Sequence, residues 1–401
     1  MNKLYKNVLF CFCLIVLVHS PLFSQSLFST LGLGKLNYFL NTRSAGMGNV
    51  GLAFSNNLTY NRMNPATSSG LKETSFNAGF VFEGMRVART ENSFNASLSR
   101  MNGASLSVKL LDGLVITGGL FPVSIYEYEF FSTEESDDYK MGITGNGGLS
   151  AGEIGIAYKV LENLSVGLSA SRLFGRLEEK TIINFYDGSF IDTEDNIEKY
   201  LTGNSFKAGV LYSINNKINV GGFFTKGYKL SGEVEYGHIY VTDEVDKEDI
   251  NYYMPYSYGI GGMYQLNPKL MLGADLSIFK GSRLKNNGFT MDVVQDAFTF
   301  SAGGEYTPSK NLYDSFFSRM SYRAGFYVHT PYLRDADLSS IREYFLTGGL
   351  GFPFNDNNAR IDFALEVGMR GSKENDLASE KIARFTVSFS SNEKWFSREK
   401  K

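Results

Sequence analysis

The residues with the strongest functional character lie in one apolar stretch, Asn41 to Phe54, which is followed by the tripeptide Asn64-Pro65-Ala66. Gly46, Gly48 and Gly51 permit backbone conformations that other residues avoid, and they allow the chain to lie directly against a neighbouring surface. The proline of the tripeptide then fixes a turn. This composition suits a segment that occupies a confined space, where binding rather than bond-making is the expected chemistry.

Two interpretations remain open for the apolar side chains of this region. Leu52, Phe54 and Leu58 would either line a route for a hydrophobic ligand or hold the segment in place by packing. The sequence does not distinguish these roles.

Arg43 and Arg62 are the cations that a ligand would meet here. Each would hold a substrate carboxylate or pair with an inward-facing acid such as Asp362 or Glu366. Because a buried charge is normally paired, the structural role is the favoured interpretation.

Catalysis has little support in the sequence. Both cysteines, Cys11 and Cys13, lie within the first 26 residues, and the chain carries no recognisable nucleophile motif. The acidic runs at 134–138 and 243–249 lack the ligand spacing of a calcium loop. We therefore expect a protein that is not an enzyme and that needs no cofactor or metal. The absence of a basic stripe argues against a nucleic-acid partner.

The first 26 residues have the layout of a secretory signal peptide. Lys3 and Lys6 precede an apolar run from Val8 to Val18, and small polar residues follow. The run is shorter than the roughly 20 residues that a membrane-spanning helix needs. We expect an exported protein whose signal is cleaved, and cleavage after Ser24 or after Ser26 would fit equally well.

From residue 74 to residue 390 the chain repeats one unit, in which two alternating segments flank a short turn and a longer polar loop follows. The clearest alternation runs from Ile361 to Arg370, where apolar side chains take one face. The predicted strands cover residues 74–85, 92–111, 114–130, 149–160, 163–185, 204–214, 217–236, 254–266, 269–280, 297–307, 319–331, 343–353, 359–371 and 381–390. The long loops are predicted at 131–148, 186–203, 237–253, 281–296, 332–342 and 372–380.

This pattern is typical of a transmembrane β-barrel with both termini on the short-turn, periplasmic side. A soluble β-sandwich is the alternative interpretation. Its strands average about five or six residues, which is shorter than most of the strands predicted here.

The order of the elements, with Arg43-Ser-Ala-Gly-Met-Gly48 and Asn64-Pro65-Ala66 ahead of the first strand, resembles the FadL-type outer-membrane transporters of long-chain fatty acids and other hydrophobic molecules. The resemblance implies an all-β fold, a 14-stranded antiparallel transmembrane β-barrel with an N-terminal hatch, or plug, inside the lumen. The implied division is a signal peptide at 1–26, a hatch at 27–72, the barrel at 73–391 and a periplasmic tail at 392–401.

The third predicted strand contains Gly118, Gly119 and Pro122. Proline removes a ladder donor, so a local break is expected. In the FadL family the third strand kinks inward and opens a side window, and the resemblance implies the same lateral opening at these residues. An ordinary β-bulge is the alternative.

Together with the strand pattern, the FadL resemblance implies a monomer that takes up hydrophobic small molecules by diffusion, surrounded by outer-membrane lipid and lipopolysaccharide. The chain is also similar to the PorV-like barrels of type IX secretion, which implies a secretion-system partner and an apolar surface patch as the alternative. A hydrophilic porin would need an open lumen. The predicted ligand and hatch residues are Arg43, Gly46, Met47, Gly48, Gly51, Leu52, Phe54, Asn64, Pro65 and Ala66.

Overall fold

A computed structural model of the 401-residue chain describes residues 32–38, 41–55, 58–88, 93–131, 139–186, 190–239, 246–334, 340–371 and 379–395. The predicted signal peptide and the end of the predicted tail lie outside these residues. Within the described ranges, no helix has both the length and the apolar content needed to cross a membrane.

The described residues form strands β1 to β21 and two short α-helices, α1 and α2, in chain order. The strands are β1 Lys35–Leu36, β2 Thr74–Ala88, β3 Ser93–Leu111, β4 Leu114–Pro122, β5 Ser124–Ile125, β6 Tyr128–Phe131, β7 Tyr139–Leu161, β8 Leu164–Phe185, β9 Thr193–Asn215, β10 Ile218–Thr225, β11 Tyr228–Ile239, β12 Asp246–Met254, β13 Ser257–Asn267, β14 Leu270–Phe279, β15 Lys285–Asn286, β16 Phe289–Thr290, β17 Ala297–Tyr306, β18 Ser321–Thr330, β19 Glu343–Phe354, β20 Ala359–Gly371 and β21 Ser379–Glu393. The helices are α1 Thr42–Ala45 and α2 Phe316–Arg319, and two 3-10 helices cover Pro65–Gly70 and Gly281–Arg283.

The wall is a closed antiparallel barrel. Strand β21 pairs with β2 along its whole length, which joins the end of the sheet to its beginning. Three wall strands are interrupted, and each is made of two of the numbered strands: β4 with β6, β10 with β11, and β12 with β13. Strands β15 and β16 form a small hairpin that pairs with β12 and is not counted as part of the wall. In the described part of the chain the wall therefore has fourteen strands, which confirms the predicted fold class.

Side-chain alternation gives the wall an apolar outside and a largely polar inside. On β20, Leu365 and Val367 are exposed, whereas Asp362 and Glu366 between and beside them are buried. A soluble sheet has the opposite arrangement, with its apolar face in the core. Apolar side chains that point away from the molecule are the arrangement that a lipid environment requires.

Three of the predicted long loops are shorter than expected, because β7, β9 and β12 begin about ten residues earlier than the sequence pattern indicates. Thr193 to Tyr200 of β9, for example, was predicted to lie in a loop. Its charged and polar side chains point to both faces, which fits a strand that rises above the membrane into water. Apolar alternation disappears there, so the loop prediction was wrong for 139–148, 193–203, 237–239 and 246–253. The rest of the predicted loops at 132–138, 187–189 and 240–245 lies outside the described residues.

The described residues between Leu33 and Leu71 lie within the barrel. Gly48 has a φ of 70°, and a Cβ at this position would lie 2.5 Å from the carbonyl oxygen of Phe326 and 2.6 Å from that of Ala302. The backbone of this segment thus lies directly on the inner face of β17 and β18, which only glycine permits. We call this segment the hatch, and its bounds as a separate unit stay a prediction.

Candidate functional site

Helix α1 fixes the start of the glycine-rich stretch. Asn41 is its N-cap, and its side chain accepts a hydrogen bond from the backbone N–H of Ser44 at 2.9 Å. Gly46 ends the helix against the wall, where a Cβ would lie 2.9 Å from the Cα of Gly349. Met47, which follows, is buried. The stretch is therefore a short capped turn pressed against the barrel.

Arg43 of α1 belongs to a buried group of ions that ties the hatch to the wall. Its guanidinium donates to both carboxylate oxygens of Glu305, at 2.8 and 2.7 Å. Arg323 bridges Glu305 and Asp362 with contacts of 2.6 Å each, and Arg360 contacts Asp362 at 2.8 Å. We call these five residues the anchor cluster. Arg43 is paired, as expected, but the predicted partners Asp362 and Glu366 were wrong.

Asp275 holds the next part of the hatch. One of its carboxylate oxygens accepts hydrogen bonds from the backbone N–H groups of Gly51 at 2.6 Å and Leu52 at 2.8 Å. The ring of Phe54 lies 5.1 Å from the guanidinium carbon of Arg43, a cation–π contact. Leu52 and Phe54 are both buried. In this arrangement their side chains act as packing that seats the hatch.

The tripeptide makes a turn whose polar groups are satisfied by hatch and wall together. The side chain of Asn64 donates to the carbonyl oxygens of Leu52 at 2.7 Å and Val210 at 2.9 Å, and it accepts from the backbone N–H of Ala66 at 3.2 Å. The proline between them begins a 3-10 helix. The wall opposite carries Gly167, where a Cβ would collide with the backbone of Ala66. The turn and the glycine therefore fit each other.

Arg62 is the second hatch cation, and its partner is an acid that the sequence analysis did not identify. Its Nε lies 3.6 Å from a carboxylate oxygen of Glu153, and Tyr60 donates its hydroxyl to the same carboxylate. Lys207 donates to the carbonyl oxygen of Arg62 at 2.6 Å. Burial raises the pKa of Tyr60 well above its usual value, and Glu153 acts in the same direction. Tyr60 is therefore a neutral donor at physiological pH.

The third wall strand is interrupted directly after Pro122. Strand β5 pairs with hatch strand β1, with Leu36 opposite Ser124, while the backbone N–H groups of Val123 and Tyr126 still donate to the carbonyl oxygens of Leu149 and Gly147 on β7, at 2.7 and 3.0 Å. Regular pairing with β7 resumes at β6. Strand β3 pairs with β4 only from Ala104 onward. Among the described residues, the remaining part of β3 has no wall partner on that side. We call this interruption, between the first half of β3 and the chain from Pro122 to Tyr128, the wall seam.

Gly118 and Gly119 lie just before the seam and differ in their surroundings. A Cβ at Gly118 would meet no heavy atom within 4 Å, whereas one at Gly119 would lie 2.6 Å from the ring of Phe121. That ring is 6.0 Å from the ring of Tyr60 and 5.1 Å from the guanidinium carbon of Arg62. Gly119 thus makes room for an aromatic side chain that connects the seam with the hatch.

A cavity of about 150 Å³ separates the hatch from the wall beside the seam. Hatch residues line one side of it and inward-facing wall residues the other, including Leu36, Arg62, Val123, Phe223, Met254 and Phe279. Towards the long-loop end, Leu33, Leu284, Tyr332 and further apolar residues close the lumen in one buried cluster. The interior is therefore blocked along its axis, and the cavity lies within reach of the seam.

A closed fourteen-stranded barrel with an apolar outside and a hatch in its lumen has the fold of the FadL-type outer-membrane transporters. Solved structures with this fold include a Pseudomonas aeruginosa FadL homologue, with a TM-score of 0.63, 14% identity, and coverage of 90% of this chain and 99% of that chain. The Ralstonia pickettii toluene transporter TbuX has a TM-score of 0.61, 17% identity, and coverage of 91% and 99%. The Pseudomonas putida toluene transporter TodX has a TM-score of 0.60, 14% identity, and coverage of 92% and 100%.

At these identities the likeness is one of fold, and at that level the predicted resemblance is confirmed. The chain belongs to the BamG family, whose profile matches it over residues 1–401. Among curated proteins, none matches the sequence closely enough to count as a relative.

Proposed function

We propose that this protein is an outer-membrane channel for the passive uptake of hydrophobic small molecules, such as long-chain fatty acids or aromatic hydrocarbons. The wall seam is the observation that carries the proposal. It is a lateral interruption of an otherwise closed wall, and it lies beside a cavity that the hatch and apolar wall residues share. The fold of two toluene transporters supports the same ligand class.

A lateral path is favourable for such ligands. Apolar surface gains on the order of 25 cal/mol per Å² when it leaves water, so a ligand that passes from the cavity into the bilayer avoids the aqueous periplasm. A path along the barrel axis would instead have to displace the anchor cluster and its buried charges. In the proposed route the ligand passes the apolar cluster that closes the long-loop end, enters the cavity and leaves through the seam.

The gate of this route is the pairing of β1 with β5. Because β5 belongs to the interrupted wall strand and β1 to the hatch, any widening of the seam at this point has to shift the hatch or break this short pairing. Chemical fixation of the pair would hold the route closed. We also propose that the protein is exported with a cleaved signal peptide and works as a monomer.

A disulfide across this pairing tests the proposal. Leu36 and Ser124 are direct antiparallel partners, and Cα atoms in such pairs lie about 4.5–5.5 Å apart, which a disulfide can bridge. In Leu36→Cys/Ser124→Cys, uptake of a labelled long-chain fatty acid and of toluene by expressing cells should fall on oxidation and recover on reduction. The same variant in its reduced state is the control for its oxidised state.

A second cysteine pair controls for the effect of a disulfide as such. Tyr264 and Leu272 are direct partners on β13 and β14, both exposed on the outer face. Tyr264→Cys/Leu272→Cys should transport equally well when oxidised and reduced. Undiminished uptake through the Leu36–Ser124 disulfide, once its formation is verified by mass spectrometry, would refute the proposed gate.

A role as a partner platform is the second candidate, and one observation favours it. The connection between β17 and β18 at the short-turn end carries exposed Leu312, Tyr313, Phe316 and Phe317, of which Tyr313 is 96% exposed. Exposed aromatic patches mark interaction surfaces. If this role holds, Tyr313→Ser/Phe317→Ser should lose proteins that cross-link to the wild type in cells, while uptake stays unchanged. Identical cross-linking patterns would count against it.

A further inference from the structure

The outer face of the barrel carries a groove where β19, β20, β21 and β2 lie side by side. Its floor is formed by two small residues in direct register, Gly84 and Ala383. A Cβ added at Gly84 would meet no heavy atom within 4 Å, so the floor is open to the outside. The walls are apolar and project outward, with Leu346 73%, Val367 52% and Met369 53% exposed.

The groove has the size of a ligand site. Its volume is about 850 Å³, within the range of about 300–1,000 Å³ that ligand pockets occupy. Its apolar lining matches an acyl chain.

Two positively charged side chains lie directly opposite each other at one rim of the groove, which is an unfavourable arrangement for neighbouring strands. Arg86 and Lys381 are direct register partners across β2 and β21. Like charges directly opposite each other destabilise a strand pair. Within the described ranges neither side chain forms an ion pair, and Arg86 donates only to the hydroxyl of Ser93, at 3.3 Å. An anion between the two side chains would relieve their repulsion.

The position of this pair identifies the anion. Strand β2 ends at Ala88 and β21 begins at Ser379, so both cations lie close to the long-loop end of the wall. In barrels of this type that end faces the outside. The phosphate groups at this level belong to the lipid A of the outer leaflet, and basic residues beside a membrane recognise lipid phosphates.

We propose that the groove is a lipid A site. Arg86 and Lys381 hold a phosphate of lipid A, and an acyl chain of the same molecule lies over Gly84 and Ala383 between the apolar walls. This inference does not depend on the proposed transport function, because a phosphate held by Arg86 and Lys381 requires neither the cavity nor an opening of the seam. The groove shares no residue with the cavity and reaches the seam only at Asn95 and Ala96 of β3.

Native mass spectrometry of the delipidated full-length protein tests the site, with diphosphoryl lipid A and with phosphatidylcholine as the probes. The wild type should retain one lipid A in preference to phosphatidylcholine. Arg86→Gln/Lys381→Gln should lower the affinity for lipid A at least about tenfold, because charge-assisted contacts to the phosphate are lost. Gly84→Leu should lower it by a similar factor, because the new side chain fills the floor.

Gly262→Leu is the matched control. A Cβ at Gly262 also meets no heavy atom within 4 Å, and this glycine lies between the exposed residues Ile260 and Tyr264 on another part of the wall. Lipid A binding should be unchanged in this variant. Circular dichroism verifies that all variants keep their β-structure.

Equal binding of lipid A by all four proteins would overturn the proposal. Loss of binding in Gly84→Leu without loss in Arg86→Gln/Lys381→Gln would also overturn it, since that outcome indicates a purely apolar occupant such as the wall of another barrel. Reduction in both groove variants and not in the control would support the site.

Discussion

Neutralising Glu305 should release the hatch far more readily than removing Arg43. The anchor cluster contains three cations and two carboxylates, so it carries one excess positive charge. Glu305→Gln raises the excess to two and leaves both Arg43 and Arg323 without their shared acceptor. Arg43→Met instead balances the cluster, because Arg323 still bridges Glu305 and Asp362.

The expected magnitudes follow from this difference. Breaking a buried ion pair so that a charge is left uncompensated costs about 3–5 kcal/mol. At about 1.4 kcal/mol per factor of ten, the population of released hatch should rise by a factor of about one hundred to a few thousand in Glu305→Gln. Arg43→Met loses the hydrogen bonds to Glu305 but leaves no excess charge, so we expect about 1–3 kcal/mol.

Limited proteolysis of the reconstituted protein measures the released population. Proteinase K is suitable because Arg43→Met removes a trypsin site but no proteinase K site. When opening and closing are fast compared with cleavage, the cleavage rate tracks the open fraction. Single-channel conductance provides an independent measure, since a released hatch unblocks the lumen.

The double variant decides whether the charge argument is right. Glu305→Gln/Arg43→Met restores the excess of one, so it should be cleaved more slowly than Glu305→Gln alone. This result requires the two changes to couple by more than the about 1–3 kcal/mol that Arg43→Met costs by itself. Strictly additive effects, or equal cleavage of the two single variants, would refute the reasoning.

Three further changes at contacts between the hatch and the wall should have graded effects. Gly48→Ala should be among the most damaging, because the new Cβ would approach the carbonyl oxygen of Phe326 to 2.5 Å at a φ of 70°; conductance recordings should show an unblocked lumen. Asn64→Ala removes two donors and one acceptor from a buried turn, so hatch docking should weaken by about 1–3 kcal/mol, measured by protease resistance. Asp275→Ala leaves two backbone N–H groups of the hatch without their acceptor, whereas Asp275→Asn keeps one acceptor oxygen and should retain more resistance to the same protease.

The strand count was predictable because the membrane imposes it. Every strand that crosses lipid needs an apolar outer face, and the inner face is free to be polar, so each crossing leaves an alternating segment such as Ile361 to Arg370. The same reasoning failed for Thr193 to Tyr200, because water surrounds both faces there and removes the requirement for alternation. The alternating pattern therefore predicts only the part of each strand that faces lipid, and it does not reveal the part of the strand that extends into water.

The partners of the hatch were not predictable in the same way. Arg43 and Glu305 are 262 positions apart, and their contact depends on how the hatch is rotated inside the lumen. Many inward-facing acids satisfy the sequence criterion equally, including Asp362 and Glu366. Nothing in the sequence around Asp275 and Glu153 indicated that these two inward-facing acids contact the hatch. Glycine was the more informative residue type, because Gly48 indicated close backbone contact without requiring knowledge of its partner.

If the protein lies in the outer membrane as proposed, the unequal heights of the wall strands affect how other molecules approach it from outside the cell. Strands β7, β8 and β9 contain 23, 22 and 23 residues, whereas β14, β17 and β18 contain 10 each. At roughly 3.3 Å per residue, the difference amounts to about 40 Å along the strand. The rim of the barrel at the long-loop end is therefore uneven. The wall is tall at β7 to β9, beside the seam, and short at β14, β17 and β18 on the opposite side. An antibody or phage protein that binds the tall part of the wall would leave the opening of the barrel accessible, whereas one that binds the short part would cover that opening.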